Sequence, residues 1–168
     1  GPFGDDSPSS PPSLASGVSG LPGVRLEFPK QPVTFTRAQL ARGVRLRWSL
    51  VVEQGGRVVV PDRVPNSCGN PGRSGLVVFP QVTSLGRRSC ACDTGLCVPV
   101  TASTVLRKGR DDGGYTFFGR ETEGPSDTNR PDGPPFPPGD ATFEVVSTGT
   151  ADGRPFRIEG KLRLKLVP

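Results

Sequence analysis

Four cysteines are the residues of this sequence best suited to chemistry. They are separated by 21, 1 and 4 intervening residues, and they are Cys68, Cys90, Cys92 and Cys97. In a short chain of secreted character, four cysteines predict two disulfides, and three connectivities are open. Because Cys90 and Cys92 are only one residue apart, we expect Cys68 to bond to one of them and Cys97 to bond to the other.

A zinc site made by all four cysteines is the alternative. The spacing lacks the paired two-residue gaps that are common in structural zinc sites. No C-x-x-C motif is present either, which argues against a redox-active pair. The sequence therefore favours disulfides that staple loops, and the longer bridge would stabilise the fold by about 3 kcal/mol in the chain-entropy estimate.

An acidic stretch near residue 130 is the best candidate for a cation site. Asp127, Asn129 and Asp132 carry side-chain oxygens ahead of a glycine, as the ligands of calcium loops do. Arg130 and Pro131 interrupt that pattern, and no glutamate follows at the bidentate position. A solvated loop is the favoured interpretation, and calcium binding at these three residues is the alternative.

The usual routes to catalysis are largely closed. The sequence contains no histidine, which removes the commonest general base and the commonest nitrogen ligand for metals. It also lacks the G-x-S-x-G, P-loop and H-E-x-x-H motifs. We predict that the protein is not an enzyme and needs no cofactor.

The basic residues do not predict a nucleic-acid partner. The chain has 21 Lys and Arg against 16 Asp and Glu, which gives a net charge of +5. Arg45 and Arg47 alternate along one predicted strand, as basic residues do on solvated sheet faces. A second predicted strand carries Arg157, Lys161, Arg163 and Lys165. A nucleic-acid surface often interleaves exposed aromatic residues with such charges, whereas most aromatic residues here fall on the apolar phase of the strands.

Aromatic residues are the candidates for a contact surface. Tyr115, Phe117, Phe118 and Phe136 lie in or beside a long loop between residues 119 and 139. They could form an exposed patch, and they are equally compatible with the core. Because rigid scaffolds tend to present function on loops, we expect this loop and the insert between Cys68 and Cys97 to make the contacts.

The composition indicates short strands joined by turns. Glycine and proline contribute 23 and 20 of the 168 residues, and hydrophobic residues only 33%, a balance that disfavours a helical bundle. The strongest strand pattern runs from Val44 to Val52, with Trp48 as its predicted core anchor. The turn residues that follow predict a hairpin to a second strand at Arg57–Val60.

Seven further segments have strand character. They are Val24–Phe28, Val33–Phe35, Leu76–Val82, Pro99–Leu106, Tyr115–Phe118, Ala141–Ser147 and Ile158–Leu166. An Asp-Gly pair predicts a hairpin between the last two segments. Arg37–Arg42 is the single weak helical segment. This organisation predicts an all-β protein, specifically an antiparallel β-sandwich.

Residues 1–23 form a predicted tether ahead of a single domain at 24–168. The tether is rich in Ser, Pro and Gly, and such segments do not bury enough apolar surface to fold. Its first two residues resemble the remnant of a cleaved expression tag. The remainder resembles the linker that follows the lipidated cysteine of bacterial lipoproteins, and an ordinary disordered tail is an equally good interpretation.

The segment Pro137–Phe143 carries a second resemblance. Its Pro-Gly pair ahead of an alternating strand resembles the turn into the penultimate strand of many bacterial immunoglobulin-like domains. The resemblance implies an immunoglobulin-like sandwich, and a fold alone does not imply a function.

These features together predict a secreted or envelope-anchored protein, for example an outer-membrane lipoprotein, that is not an enzyme. Its expected role is binding, adhesion or structural support at the cell envelope through contacts with a protein partner. A membrane would be engaged only through an N-terminal lipid anchor. Two alternatives are a secreted inhibitor that presents the disulfide-held loop between Cys92 and Cys97, and a small calcium-binding surface protein.

Overall fold

The computed structural model describes residues 20–62, 71–92, 102–122 and 130–168. Within these ranges the chain forms one short helix and ten strands. The helix α1 spans Arg37–Arg42, and the strands are β1 Val24–Glu27, β2 Thr34–Thr36, β3 Val44–Val52, β4 Val58–Pro61, β5 Phe79–Ser84, β6 Arg87–Cys90, β7 Thr104–Val105, β8 Gly109–Phe117, β9 Gly139–Ala151 and β10 Arg154–Val167. The predicted all-β class is thus confirmed.

The strands form two sheets. The first has three antiparallel strands in the order β1-β3-β8. The second is built around β9, which pairs with β10 on one side and with both β5 and β4 on the other. Strands β6 and β7 extend this sheet beyond β5 and β4, and β2 lies beyond β10.

One strand pair departs from the predicted antiparallel arrangement. Strand β2 runs parallel to β10, with Phe35 opposite Leu166. Strand β1 pairs with β3 in the first sheet, so the chain changes sheets between β1 and β2. Pro29 and Pro32 lie in this crossing. Proline has no backbone N–H to donate, and a segment between two sheets does not need that hydrogen bond.

Residues from both sheets share one hydrophobic core. In β3 the alternation buries Leu46, Leu50 and Val52, because successive side chains of a strand point to opposite faces. The ring of Phe28 lies 5.7 Å from that of Phe143 in β9, measured between centroids. Burial of this shared core supplies the main driving force for holding the sheets together.

The predicted hairpin at the end of the chain is confirmed. Strands β9 and β10 pair antiparallel from Ala151 and Arg154 outward. The two turn residues, Asp152 and Gly153, both have positive φ angles of 53° and 74°. That backbone is required by the tight turn that matches strand twist, and aspartate and glycine adopt it at low cost.

The predicted hairpin between β3 and β4 is wrong. Strand β4 pairs with β7 and β9 in the second sheet, while β3 lies in the first. The intervening glycines approach another backbone segment, and Gly56 donates a hydrogen bond to the carbonyl of Leu106 at 2.8 Å. The chain therefore crosses between sheets here instead of turning back.

Trp48 lies at the margin of the core. It is partly buried and packs against the core residues. Its ring also covers the backbone of Gly113, its register partner in β8, where a Cβ atom would overlap the indole. Trp48 therefore closes one border of the core and is not its buried centre.

Candidate functional site

A concavity of about 250 Å³ lies where α1, the end of β8 and the end of β10 meet. We call it the Phe118 pocket. Most of its lining is apolar, and the lining also includes two arginines. The lining residues are Arg37, Leu40, Ala41, Phe118, Gly119, Arg120, Pro135, Phe136, Pro138, Leu166 and Val167.

The helix α1 forms one wall of the Phe118 pocket. Its first turn is closed by a capping box, in which the hydroxyl of Thr36 accepts from the backbone N–H of Gln39 at 3.2 Å and the Gln39 side chain accepts from the Thr36 N–H at 2.8 Å. Such reciprocal caps satisfy backbone donors that have no partner within the helix. Leu40 is the one buried residue of α1 and faces the pocket.

Two glycines make room for the side chains of this wall. Gly43 ends α1 with a φ of 87°, and a Cβ atom there would lie 2.8 Å from the Phe118 ring. Gly119 has a φ of 74°, and a Cβ atom there would lie 2.9 Å from the Cβ of Leu40. Both the backbone conformation and the close approach require glycine at these positions.

The opposite wall is held by a short two-strand contact. Arg120 and Pro135 form an isolated β-bridge, and Phe136 donates its backbone N–H to the carbonyl of Gly119 at 2.8 Å. Below the pocket, the rings of Phe117 and Phe136 meet edge to face with centroids 5.1 Å apart, a favourable aromatic geometry.

The two arginines of the pocket carry charge without a carboxylate partner in the described ranges. Neither Arg37 nor Arg120 forms an ion pair there, whereas Arg87 pairs with Glu121 at 2.6 Å. One guanidinium nitrogen of Arg120 donates to the carbonyl of Gly133 at 2.9 Å, which fixes its position. A planar guanidinium presents several donors and suits carboxylate recognition.

The structure divides the four predicted aromatic contact residues. Phe117 is fully buried and Phe136 is 5% exposed, so neither can form part of an exposed patch, while Phe118 is 38% exposed. Tyr115 is partly buried, and its hydroxyl lies 2.6 Å from that of Ser89. Burial raises the pKa of Tyr115 above its ordinary value, against the opposing effect of the Ser89 hydrogen bond.

The predicted cysteine bridges lie mostly outside the described residues, which include neither Cys68 nor Cys97. The Cα atoms of Cys90 and Cys92 are 5.2 Å apart and their sulfur atoms are in contact. The structure therefore brings together two cysteines for which the sequence predicts other partners, and the connectivity of the four cysteines stays a prediction. Cys90 also belongs to a small apolar cluster with Val77, Phe79 and Val146, separate from the main core.

The candidate calcium residues are only partly described. Asp127 and Asn129 lie outside the described residues. The carboxylate of Asp132 is exposed and lies 3.2 Å from the guanidinium of Arg130. In the part of the chain that the structure describes, no three Cys, Asp or Glu side chains are grouped as metal ligands.

Sequence reasoning did not single out Arg37, Leu40 or Arg120 as site residues. Arg37 and Leu40 share α1, whereas Arg120 lies far from them in the chain, and the pairings of β2 with β10 and of β3 with β8 bring them together. Two local signals were available. The Thr36–Gln39 capping pattern marks the start of a helix and the glycine after Arg42 marks its end. A short helix beside the end of a sheet can form one wall of a pocket.

Comparisons of the chain with protein-family models, with curated proteins and with solved structures find no match. The helix in the described ranges has six residues. No helix in those ranges has the length and apolar character needed to cross a bilayer.

Proposed function

We propose that this chain is a non-enzymatic, extracytoplasmic binding module that acts through protein-protein contacts. Its Phe118 pocket receives an apolar side chain of the partner, and Arg37 and Arg120 bind acidic groups beside that side chain. One observation carries the proposal: an apolar concavity is lined by an exposed aromatic residue and by two arginines that have no carboxylate partner in the described residues.

The size and chemistry of the pocket support this choice of ligand. At about 250 Å³ the pocket is smaller than most small-molecule sites, and it suits a single side chain. Aromatic residues and arginines are enriched where protein interfaces derive their energy. The net charge of +5 would steer an acidic partner toward the molecule.

The strand order supports an immunoglobulin-like sandwich as the scaffold. In that fold the first, second and fifth strands form part of one sheet, and the third, sixth and seventh form the other. Here β1, β3 and β8 form one sheet, while β5, β9 and β10 lie in the other. This is the same order once β2, β4, β6 and β7 are set aside, although the described ranges hold no counterpart of the fourth strand.

Export from the cytoplasm is part of the proposal and rests on sequence. Four cysteines in a chain with a thin apolar supply suit an oxidising compartment. The Ser, Pro and Gly-rich residues ahead of Gly20 suit a tether between an envelope anchor and the domain. The domain begins earlier than the predicted residue 24, because Leu21 is buried in the main core. The cysteines and the tether would both place the Phe118 pocket where it can meet partners at the cell surface.

Titration with short peptides, followed by heteronuclear NMR, tests the proposed ligand chemistry. The probe is a terminally blocked Asp-Phe-Asp peptide, and the control is Lys-Phe-Lys of the same length. We expect saturable shifts of the amides of Gly43, Phe118 and Gly119 with the acidic peptide only. Added salt should weaken binding, because the contributing charges are exposed.

Two variants complete the test. Phe118→Ser should weaken binding of the acidic peptide by about tenfold or more. Val105→Ser, at another exposed apolar residue, should leave it unchanged. Equal binding of the two peptides, or the absence of any saturable shift in the Phe118 pocket, would refute the proposed ligand chemistry.

A further inference from the structure

The most exposed large apolar side chain of the described residues lies at the tip of a hairpin. Leu85 is 87% exposed, and with Gly86 it forms the two-residue turn between β5 and β6. Both residues have positive φ angles, 47° for Leu85 and 82° for Gly86. A leucine with positive φ is uncommon, because its Cβ is crowded by the backbone in that conformation.

The chain contains its own comparison for this turn. The hairpin between β9 and β10 has nearly the same φ angles at Asp152 and Gly153, and it uses the aspartate that this turn favours. Folding preference alone would therefore select aspartate or asparagine at position 85. The leucine has neither a backbone advantage nor burial to explain it, and strain of this kind points to a function.

The Leu85 tip and the Phe118 pocket lie at the same end of the molecule. The hydroxyl of Ser84, next to the tip, donates to the carbonyl of Asp140 at 2.7 Å. The neighbouring Gly139 pairs with Leu166 in β10, and Leu166 lines the Phe118 pocket. Two other exposed apolar residues, Val58 and Val105, are not part of this group. They lie opposite each other in a different pair of strands, β4 and β7.

The base of the hairpin is anchored by its arginines. Arg87 forms an ion pair with Glu121 at 2.6 Å. Arg88 donates to the side-chain oxygen of Gln81 at 2.7 Å, and its guanidinium lies 5.7 Å from the centroid of the Phe79 ring. The charge of Arg88 has no carboxylate partner in the ranges described, so it is available to an acidic group of another molecule.

We propose that Leu85 is an insertion anchor, which enters an apolar pocket with an acidic rim on a folded protein partner. This inference rests on the proposed function, since it assigns Leu85 to the same binding surface as the Phe118 pocket. A folded partner is required because a hairpin tip that projects needs a preformed concavity. The Phe118 pocket of a second copy is disfavoured, since its Arg37 and Arg120 would repel Arg88.

Site-specific photo-crosslinking tests the inference in cells that make the protein. A benzophenone amino acid replaces Leu85 in the full chain, and a matched control places it at Asp152, the tip of the other hairpin. We expect one protein to be crosslinked from position 85 and not from position 152. Its affinity is then measured with the purified unlabelled chain and with variants.

Leu85→Asn should reduce the affinity for this partner by about tenfold or more while it raises the melting temperature. The exchanged variant Asp152→Leu should lower the melting temperature and leave the affinity unchanged. Crosslinking that is no stronger at 85 than at 152, an unchanged affinity of Leu85→Asn, or a lower melting temperature of that variant would overturn the inference.

The variant Phe118→Ser separates the two proposals on the same partner. If Phe118→Ser loses binding while Leu85→Asn keeps it, the inference about Leu85 fails and the Phe118 pocket stands. If Leu85→Asn loses binding while Phe118→Ser keeps it, the Phe118 pocket is not the site and Leu85 anchors a different surface.

Discussion

Phe117 and Phe118 are consecutive residues with opposite surroundings. Phe117 is fully buried in contact with Phe136, while Phe118 is 38% exposed beside the pocket. Truncation of a buried phenylalanine removes its transfer energy and leaves a cavity, so Phe117→Ala should lower the free energy of unfolding by about 3–5 kcal/mol. Phe118→Ala should cost much less. Urea unfolding of both variants checks this, and equal losses would contradict the assignment of Phe118 to a binding surface.

Asp112 offers a titration that reports on the outer face of β8. The hydroxyl of Ser49 donates to its carboxylate at 2.6 Å. This bond, helped by Arg110 and opposed by desolvation, lowers the pKa of Asp112. A carboxyl whose pKa is lower in the folded state contributes stability above its unfolded pKa, and the contribution disappears as the pH falls through the folded pKa.

Ser49→Ala should therefore raise the pKa of Asp112 toward its ordinary value, because the largest lowering interaction is lost. The titration of the Asp112 carboxyl carbon by NMR measures this shift. Ser89→Ala is the control, since the Ser89 hydroxyl contacts Tyr115 instead, and it should leave the Asp112 curve in place. An unchanged curve in Ser49→Ala would show that the hydrogen bond does not form in solution.

At the scale of elements, sequence patterns predicted strands better than their partners. The alternation in β3 and in β10 was enough to predict each strand, because a period of two is typical of a half-buried strand. The Asp152–Gly153 pair was enough to predict the tight turn between β9 and β10. The polar first half of β8 has no such alternation. Arg110, Asp111 and Asp112 are strand residues because they pair along β3, which is a tertiary effect that no local pattern encodes.

The glycine that ends α1 permits a prediction about that element. Gly43→Ala would both place a side chain at a φ of 87° and bring its Cβ 2.8 Å from the Phe118 ring. Gly56 is a matched control with a φ of 102°, where a Cβ atom would meet no other atom within 4 Å. Gly56→Ala should cost about 1–2 kcal/mol for the backbone alone, and Gly43→Ala about 1–3 kcal/mol more because of the clash.

Urea unfolding separates these two costs, and the amide shift of Phe118 reports where its ring moves. Gly43→Ala should also weaken binding of the acidic peptide, since it displaces the pocket wall, whereas Gly56→Ala should not. Equal destabilisation in the two variants would mean that Phe118 moves freely away from Gly43, and the pocket wall would then not be rigid.

At the scale of the whole molecule, the Phe118 pocket is made by long-range pairing. Its residues come from α1, from the end of β8, from the segment near Pro135 and from the end of β10. The sequence placed Phe118 and Phe136 among the candidates, but it could not assign one to the surface and the other to the core. That distinction depends on Phe136 packing on Phe117, whereas the Phe118 ring lies beside Gly43 at the end of α1 and stays 38% exposed.

The cysteines allow a prediction about the stability of the whole chain. Cys90 packs in a cluster apart from the core that joins the two sheets. Bridges in this region would therefore stabilise the fold mainly by restricting the unfolded chain and not by holding the core. Reduction should lower the free energy of unfolding by about 2–5 kcal/mol, while the amides of β9 and β10 remain protected from hydrogen exchange below the unfolding transition.

Intact mass with and without reductant, combined with metal analysis of the same sample, is the primary measurement. Two disulfides give a mass four hydrogens below that of the reduced chain, without metal. Four free thiols with stoichiometric zinc would contradict both the bridges and the proposed export, because a thiolate zinc site of this kind suits a reducing compartment. The partner sought for Leu85 and the Phe118 pocket would then have to be an intracellular protein.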